Sequence, residues 1–574
     1  MTRPRGRARE PRAARARDAD EATPADGARL RPARAAPLPA ATWALLYAAA
    51  LAIAFAVYAP ALGGPFVSDD VYYLERNRAV REPSAAHLRE MLAPRSDLTL
   101  MVANYAPVHL LVHAAQWQLF GRRYAGYHAT NLALHAANAV LLAALLLRAG
   151  LGPAPALLGA AFFLVHPANV EAVAWISQVK TQVAMTLMLL ALVASGRHAA
   201  LGTLAFALSL GAKATSAVAL PVAAAWAWIR GARPGRRRAR SLLAWSAVFA
   251  VFAGVQLVAF RHAHVGVEPV SDSRLVQLWT TAAIGARYLW MAATSLGISA
   301  YHEPAPSESP LEPWALAGLV AALALGARTA FALRQRREEG AWWLWAAVSY
   351  APVAQVFPFL FPMADRYLYF ILPGLVGGAS LFAAEAARRV PPRARARLAR
   401  GGFAVACAVL ALFAARSHER ARIWTSEARV FADGVRHYPE GAVASFGKAR
   451  RAAAEGDVAG AVAHARTATR RGHRDFEDLL QAPEFAALRG RPELEAFLRE
   501  RAQRRVERLA GASRLHVSDR LALARAFLLL DAPERAQAVL RDDDAARGPW
   551  APEVEALRRE AERAAAQRDA AAGR

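Results

Sequence analysis

Twelve continuous or nearly continuous apolar stretches constrain this 574-residue chain more than any other feature: 43–62, 104–120, 126–147, 152–166, 172–195, 199–229, 241–260, 277–299, 312–332, 341–361, 367–387 and 401–416. Each approaches the roughly 20 residues a helix needs to cross about 30 Å of hydrocarbon, or is short enough to be re-entrant. The expectation is an all-α, polytopic integral membrane protein with about 10–12 spans. Hydrophobic residues make up 55% of the chain and the mean hydropathy is +0.16. That exceeds the usual soluble composition and excludes a disordered or nucleic-acid-tail protein. The 199–229 stretch is too long for one span and carries Lys213 at its centre, so two short helices turning at Gly211-Ala212-Lys213 are expected. The single cysteine, Cys407, excludes an intramolecular disulfide and a cysteine-cluster metal site; inside an apolar stretch it reads as a small buried hydrophobe.

The formal charge of +25 suggests nucleic acid until its placement is considered. Arginines cluster at 122–123, 230–240, 334–337 and 388–400, beside apolar stretches, as cytoplasmic loops do. This places the chain in the cell inner (cytoplasmic) membrane, with the N-terminus cytoplasmic and the first span running outward. Residues 1–42, rich in Arg, Pro and Ala, read as a disordered basic cytoplasmic tail. Residues 43–416 read as the membrane-embedded domain, and 63–103 lie outside. With all four arginine clusters cytoplasmic, alternation fails between 124 and 196 and between 262 and 332 unless each contains an interfacial or re-entrant element. After residue 416 no membrane-length apolar run remains. Periodic apolar positions over 441–470, 479–507 and 516–570 predict antiparallel helix pairs with turns at Gly456-Asp457 and Asp531-Ala532-Pro533. Residues 417–574 read as an extracytoplasmic, degenerate repeat domain of tetratricopeptide texture.

Asp69 and Asp70 are the leading catalytic candidates. Adjacent carboxylates just past the first span, in an aromatic setting, suit a general base or a group that positions a phosphate through a metal. A divalent metal is compatible with this pair; no cofactor is specified. The spacing His128, Asn131, His135, Asn138 puts four polar side chains on one helical face, where they line a substrate or bond neighbouring helices. His109 and His113 sit one turn apart. His166 and Glu171 flank Pro167, between two apolar runs, and Glu171 can compensate Lys180, Lys213 or an arginine. Lys213, and separately Arg366 with Tyr367 and Tyr369, can neutralise a lipid phosphate. Structural hydrogen bonds and salt bridges are the alternative role for each of these groups. No phosphate loop or dinucleotide fingerprint accompanies a βα unit, and Gly374, Gly377 and Gly378 read as close-packing glycines of a membrane helix.

FVSDD at 66–70 with Asn77, YAPVHLLVH at 105–113, LFGRRYAGYHATNLALHAANAVLL at 119–142 and FFLVHPANVEAVAWISQVK at 162–180 form an ordered series. GAKATSAVALP at 211–221, FPMADRYLYF at 361–370 and RARIWTSEARVFADGVRHYPE at 420–440 continue it. The series resembles the polytopic protein O-mannosyltransferase-like glycosyltransferases of the GT-C class that carry a C-terminal tetratricopeptide region. The resemblance implies transfer of mannose or a related hexose from a polyprenyl-phosphate donor to an acceptor hydroxyl, of a protein, glycan or lipid, at the extracytoplasmic face. It matches Asp69 and Asp70 to the first-loop acidic pair, His166 and Glu171 to a membrane-edge motif, and Arg366 to a late arginine. The sequence departs at Gln178-Val179-Lys180, where a glycine–arginine motif is expected. A transporter or flippase of lipid-linked saccharide, and a non-catalytic scaffold with helical repeats, are the rival readings.

Overall fold

The computed structural model describes residues 38–572, apart from 97, 100–104, 196–197, 232–235, 264–270, 272, 356–360, 473–478, 480–481, 511–514, 516 and 542–549. Most of the tail expected at 1–42 lies outside the described residues. Among the described residues every regular element is helical. Seven helices among the described residues are long and apolar enough to cross a membrane: Ala40–Ala61, Tyr124–Arg148, Ile176–Ala194, Arg238–Arg261, Pro313–Arg334, Asp365–Arg388 and Pro392–Thr425. The pair Pro153–Val165 and Pro167–Ala174, bent by 49°, makes an eighth if counted as one span.

The expected ten to twelve spans are therefore seven or eight of full length, and breaks in the apolar stretches account for the difference. The 199–229 stretch divides into Ala199–Ala212 and Ala219–Arg230, with Lys213 in extended backbone between them. The helix Pro107–Phe120 has 14 residues and reaches only about 21 Å. Its buried face carries His109, His113 and Gln116, and it packs beside the short helices Arg78–Arg81 and Ala85–Leu92. Arg122 lies 3.2 Å from Glu75, in the loop region that follows Asp69 and Asp70, and a short polar-faced helix stands where the expectation had a full span. Arg230 makes a bidentate pair with Glu338, at 2.6 and 2.9 Å, and Arg336 stacks 4.8 Å from the Trp228 ring.

Cys407 is exposed on the long helix Pro392–Ala421, most of whose surface is uncovered by protein. In a span the apolar environment comes from lipid, so an apolar stretch does not imply burial against protein.

The membrane core gathers Leu142, Phe163, Met185, Met188, Phe206, Trp342, Trp345 and Phe370. Trp342 and Trp345 stack at 5.5 Å, and the facing helix Leu368–Arg388 meets them with glycines. A Cβ on Gly374 would sit 2.4 Å from Ala346 N, and one on Gly377 2.1 Å from the Trp342 ring. Beyond residue 426 the helices Ala442–Ala454 and Val458–Arg470 pair across a turn in which Gly456 has φ +79°. Asp457 caps the second, accepting from Gly460 N at 2.9 Å. The helices Pro492–Leu509, Val517–Leu529, Pro533–Leu540 and Ala551–Ala572 continue the series.

Because backbone atoms oppose a Cβ at Gly374, Gly374→Val should destabilise the chain by about 1–3 kcal/mol. Gly254, with nothing within 4 Å of its Cβ position, should accept alanine without loss. Thermal unfolding of both variants in detergent checks the contrast; equal midpoints would refute close packing as the role of Gly374.

Candidate functional site

Pro167 follows His166, whose extended backbone ends the helix Pro153–Val165 and leaves carbonyls without helical donors. The polar face of the helix Tyr124–Arg148 supplies donors. His135 Nε2 donates to Leu164 O at 2.9 Å, and Asn131 Nδ2 reaches Val173 O and Trp175 O, each at 3.2 Å. Asn138 Nδ2 reaches Gln182 O at 3.3 Å, and His128 Nε2 donates to Gly64 O at 3.0 Å. Within the break, His166 Nδ1 accepts from Ala168 N at 3.1 Å and its Nε2 donates to Ala292 O at 3.0 Å. Asn169 covers Phe163 O at 2.7 Å. His128, Asn131, His135 and His166 thus bond backbone; Asn131 and His166 hold the irregular segment 166–178, and His128 and His135 secure Gly64 and Leu164 beside it.

That segment grips the loop after the first span. Trp175 Nε1 donates to Val67 O at 3.2 Å, and its ring stacks on Trp424 at 5.2 Å. Ser68 has φ +53°, which turns the chain so that Asp69 and Asp70 point apart in role. Asp70 is fully buried: Oδ2 accepts from Val67 N at 3.0 Å, while Oδ1 accepts from Ser177 N at 2.7 Å and from the Ser177 hydroxyl. Asp69 is half-buried and within Coulombic reach of Arg366 and Tyr73.

Three cations gather on this side. Arg366 donates its backbone N–H to Glu171 Oε2 at 2.7 Å and its guanidinium to Glu171 Oε1. The same guanidinium lies over the rings of Phe361, Tyr367 and Trp175, at 4.8, 5.1 and 5.5 Å. Lys213 Nζ donates to Thr181 Oγ1 at 2.8 Å. Lys180 Nζ lies 3.4 Å from Tyr73 Oη and 4.9 Å from that ring's centre. Lys213 is in Coulombic reach of both Lys180 and Arg366. Among the described residues neither lysine has a carboxylate within ion-pair distance. His109 and His113 stand behind Tyr73, whose ring centre is 4.8 Å from His109. Among the described residues no three His, Cys, Asp or Glu side chains group as metal ligands.

The arrangement brings together Asp69, Glu171, Lys213, Arg366 and Tyr367 from four separate sequence segments. Sequence reasoning gave Lys180 no site role beyond a charge for Glu171, and it missed Tyr73, Thr181 and Ser177. Nothing local marks Ser177.

Neither a protein-family model nor a curated protein matches the chain. Among solved structures, the crystal structure of ArnT from Cupriavidus metallidurans bound to undecaprenyl phosphate is similar over 82% of this chain and 81% of that one, at 14% identity and a TM-score of 0.34.

Burial pushes the Asp70 carboxyl up to about 7, against the three hydrogen bonds donated to it. Between about pH 4 and that value the folded chain keeps a proton that the unfolded chain has released. This group therefore favours folding at low pH, and its contribution is lost as pH rises through about 7. The slope is bounded by one proton, about 1.4 kcal/mol per pH unit. Asp70→Asn should flatten that part of the stability profile, read as unfolding midpoints from acid to neutral pH; an unchanged slope would show that Asp70 is ionised in the fold throughout.

Proposed function

We propose that this protein is a glycosyltransferase that takes a sugar, mannose or a related hexose, from a polyprenyl-phosphate donor and places it on an acceptor hydroxyl, such as a protein Ser or Thr, at the extracytoplasmic membrane face. One observation carries the reading. Lys213, in Coulombic reach of Lys180 and Arg366, and Lys180, on Tyr73, have no carboxylate at ion-pair distance among the described residues, and Arg366 and Tyr73 are both in reach of the half-buried Asp69. Glu171 already balances Arg366, so the lysines leave the site with unmatched positive charge that suits an anion. Membrane helices around it suit an anion that ends a hydrocarbon chain.

In this reading Asp69 is the base, because it is the member of the pair not consumed by backbone donors. Its carboxylate takes the proton of the acceptor hydroxyl while the acceptor oxygen bonds to the anomeric carbon. The bond from that carbon to the phosphate oxygen breaks, and its electron pair leaves on the lipid phosphate, whose charge Arg366, Lys180 and Lys213 meet. One displacement inverts the anomeric centre. Asp70 holds the loop against Ser177, so that Asp69 is presented at a fixed distance from the cations. The helices after residue 426 hold the acceptor.

Transfer of radiolabelled sugar from polyprenyl-phosphate donors in membranes containing the full chain tests this. Asp69→Asn should lower the rate by about 10²–10⁴-fold at matched protein levels. Replacing Lys180 and Lys213 together by Met should raise the KM for donor with a smaller effect on acceptor. No transfer by the wild type from any such donor, with native acceptors present, would move the assignment to transport or scaffolding.

A further inference from the structure

Arg366 is held from two sides, and only one of them, Glu171, belongs to the site described above. The other begins with Asp365, which precedes it in the short helical turn Asp365–Tyr367 and is itself buried. His302 Nε2 donates to Asp365 Oδ1 at 2.7 Å. With that proton on Nε2, Nδ1 accepts from the Tyr438 hydroxyl at 2.9 Å. Ser299 N donates to the same Oδ1 at 3.4 Å, and Arg420 Nη2 lies 3.8 Å from Oδ2. Arg420 in turn pairs with Asp433 at 3.1 Å, and Asp433 accepts from Ala300 N at 2.7 Å. The His302 side chain is completely covered and that of Asp365 nearly so, which makes the contact strong and sensitive to its geometry.

We propose that His302 is a positioning residue for Arg366. It fixes Asp365, and through the turn 365–367 it fixes the direction in which the guanidinium leaves the backbone. Tyr438 extends this hold to the first helix beyond the membrane domain, Glu427–His437, and the residue after it. The inference rests on the reading that Arg366 meets the donor's phosphate. Three features separate it from ordinary packing. The imidazole uses both nitrogens, its partner carboxylate is adjacent in sequence to the arginine, and the arginine's own N–H is already committed to Glu171 at 2.7 Å. A shift of Asp365 has no slack to be absorbed in, so it is passed to Arg366.

The test is binding of undecaprenyl phosphate to the purified full chain in lipid nanodiscs, together with donor KM and kcat in the transfer assay. His302→Leu removes both hydrogen bonds at similar volume. His302→Gln keeps an amide donor for Asp365, and Tyr438→Phe removes only the outer link. His302→Leu should weaken polyprenyl-phosphate binding about tenfold, the equivalent of about 1.4 kcal/mol. It should raise donor KM without changing acceptor KM; His302→Gln should restore most of the affinity, and Tyr438→Phe should fall between. Wild-type affinity in folded His302→Leu overturns the proposal, and so does a His302→Gln variant as weak as His302→Leu. If His302→Leu does not fold, the other two decide. Gln near wild type with Phe weaker supports the proposal; Phe at wild-type affinity with Gln weak overturns it. Arg366→Lys is the control on the premise. If it weakens binding while folded His302→Leu does not, the function stands and the positioning role fails. If the wild type does not bind polyprenyl phosphate at all, both fall.

Discussion

Backbone carbonyls left open where the helix Pro153–Val165 ends set the terms for the rest of the molecule. A spanning helix satisfies its own backbone, but this one stops at His166, restarts after Pro167 and stops again at Trp175. In hydrocarbon no water can take the freed groups, and each buried orphan costs about 1–3 kcal/mol. His135, Asn131 and Gln182 meet them, with Gln182 Nε2 donating to Ala172 O at 2.8 Å. A broken helix satisfied in this way is a rigid, irregular frame. It presents Glu171, Ser177 and Lys180 at angles that no continuous helix could reach.

The second constraint is charge. Glu171 and Arg366 are both largely buried, and removing either would strand the other at a cost of about 3–5 kcal/mol. The pair is therefore fixed and nearly neutral as a unit; in the proposed function the attraction for an anion falls to Lys180 and Lys213, whose side-chain nitrogens bond hydroxyls. Lysine suits that role: its point charge can turn from Tyr73 or Thr181 toward an arriving oxygen, whereas the clamped guanidinium of Arg366 offers fixed directions.

Much of this was legible in the sequence because it is local. Apolar length and the lysine at 213 located the helices and the break between Ala199–Ala212 and Ala219–Arg230. The spacing of His128, Asn131, His135 and Asn138 gave a correct common face, yet it could not say whether that face meets substrate or backbone, since both need the same side chains. Charge bias reports topology only when the helix between two loops crosses, and the 14-residue Pro107–Phe120 falls short of a full span. Within the acidic pair, identical residues one apart received opposite environments. Ser177, 107 positions away, decided which one is buried, and no sequence window spans that distance. The contact of His302 with Asp365 and Tyr438 was invisible for the same reason: it joins three distant segments.

Contacts between the Asp69 loop and the C-terminal helices differ in strength, and the difference matters for motion. Arg76 meets Glu553 at 2.9 Å and Tyr72 meets Trp550 at 5.5 Å, but Arg76 and Glu553 are 47% and 35% exposed. Such a pair contributes about 0–1 kcal/mol, little more than thermal energy. The stack of Trp175 on Trp424 is buried on both sides, and an aromatic pair of this kind adds about 0.5–1.5 kcal/mol beyond the burial of its area. Residues 424–438 are therefore bound to the site as part of its frame, while the helix Ala551–Ala572 meets the loop through a weak, exposed ion pair. The transfer proposed above would use that division, with Glu171 and Arg366 fixed in their pair and the contact of Arg76 with Glu553 easily parted.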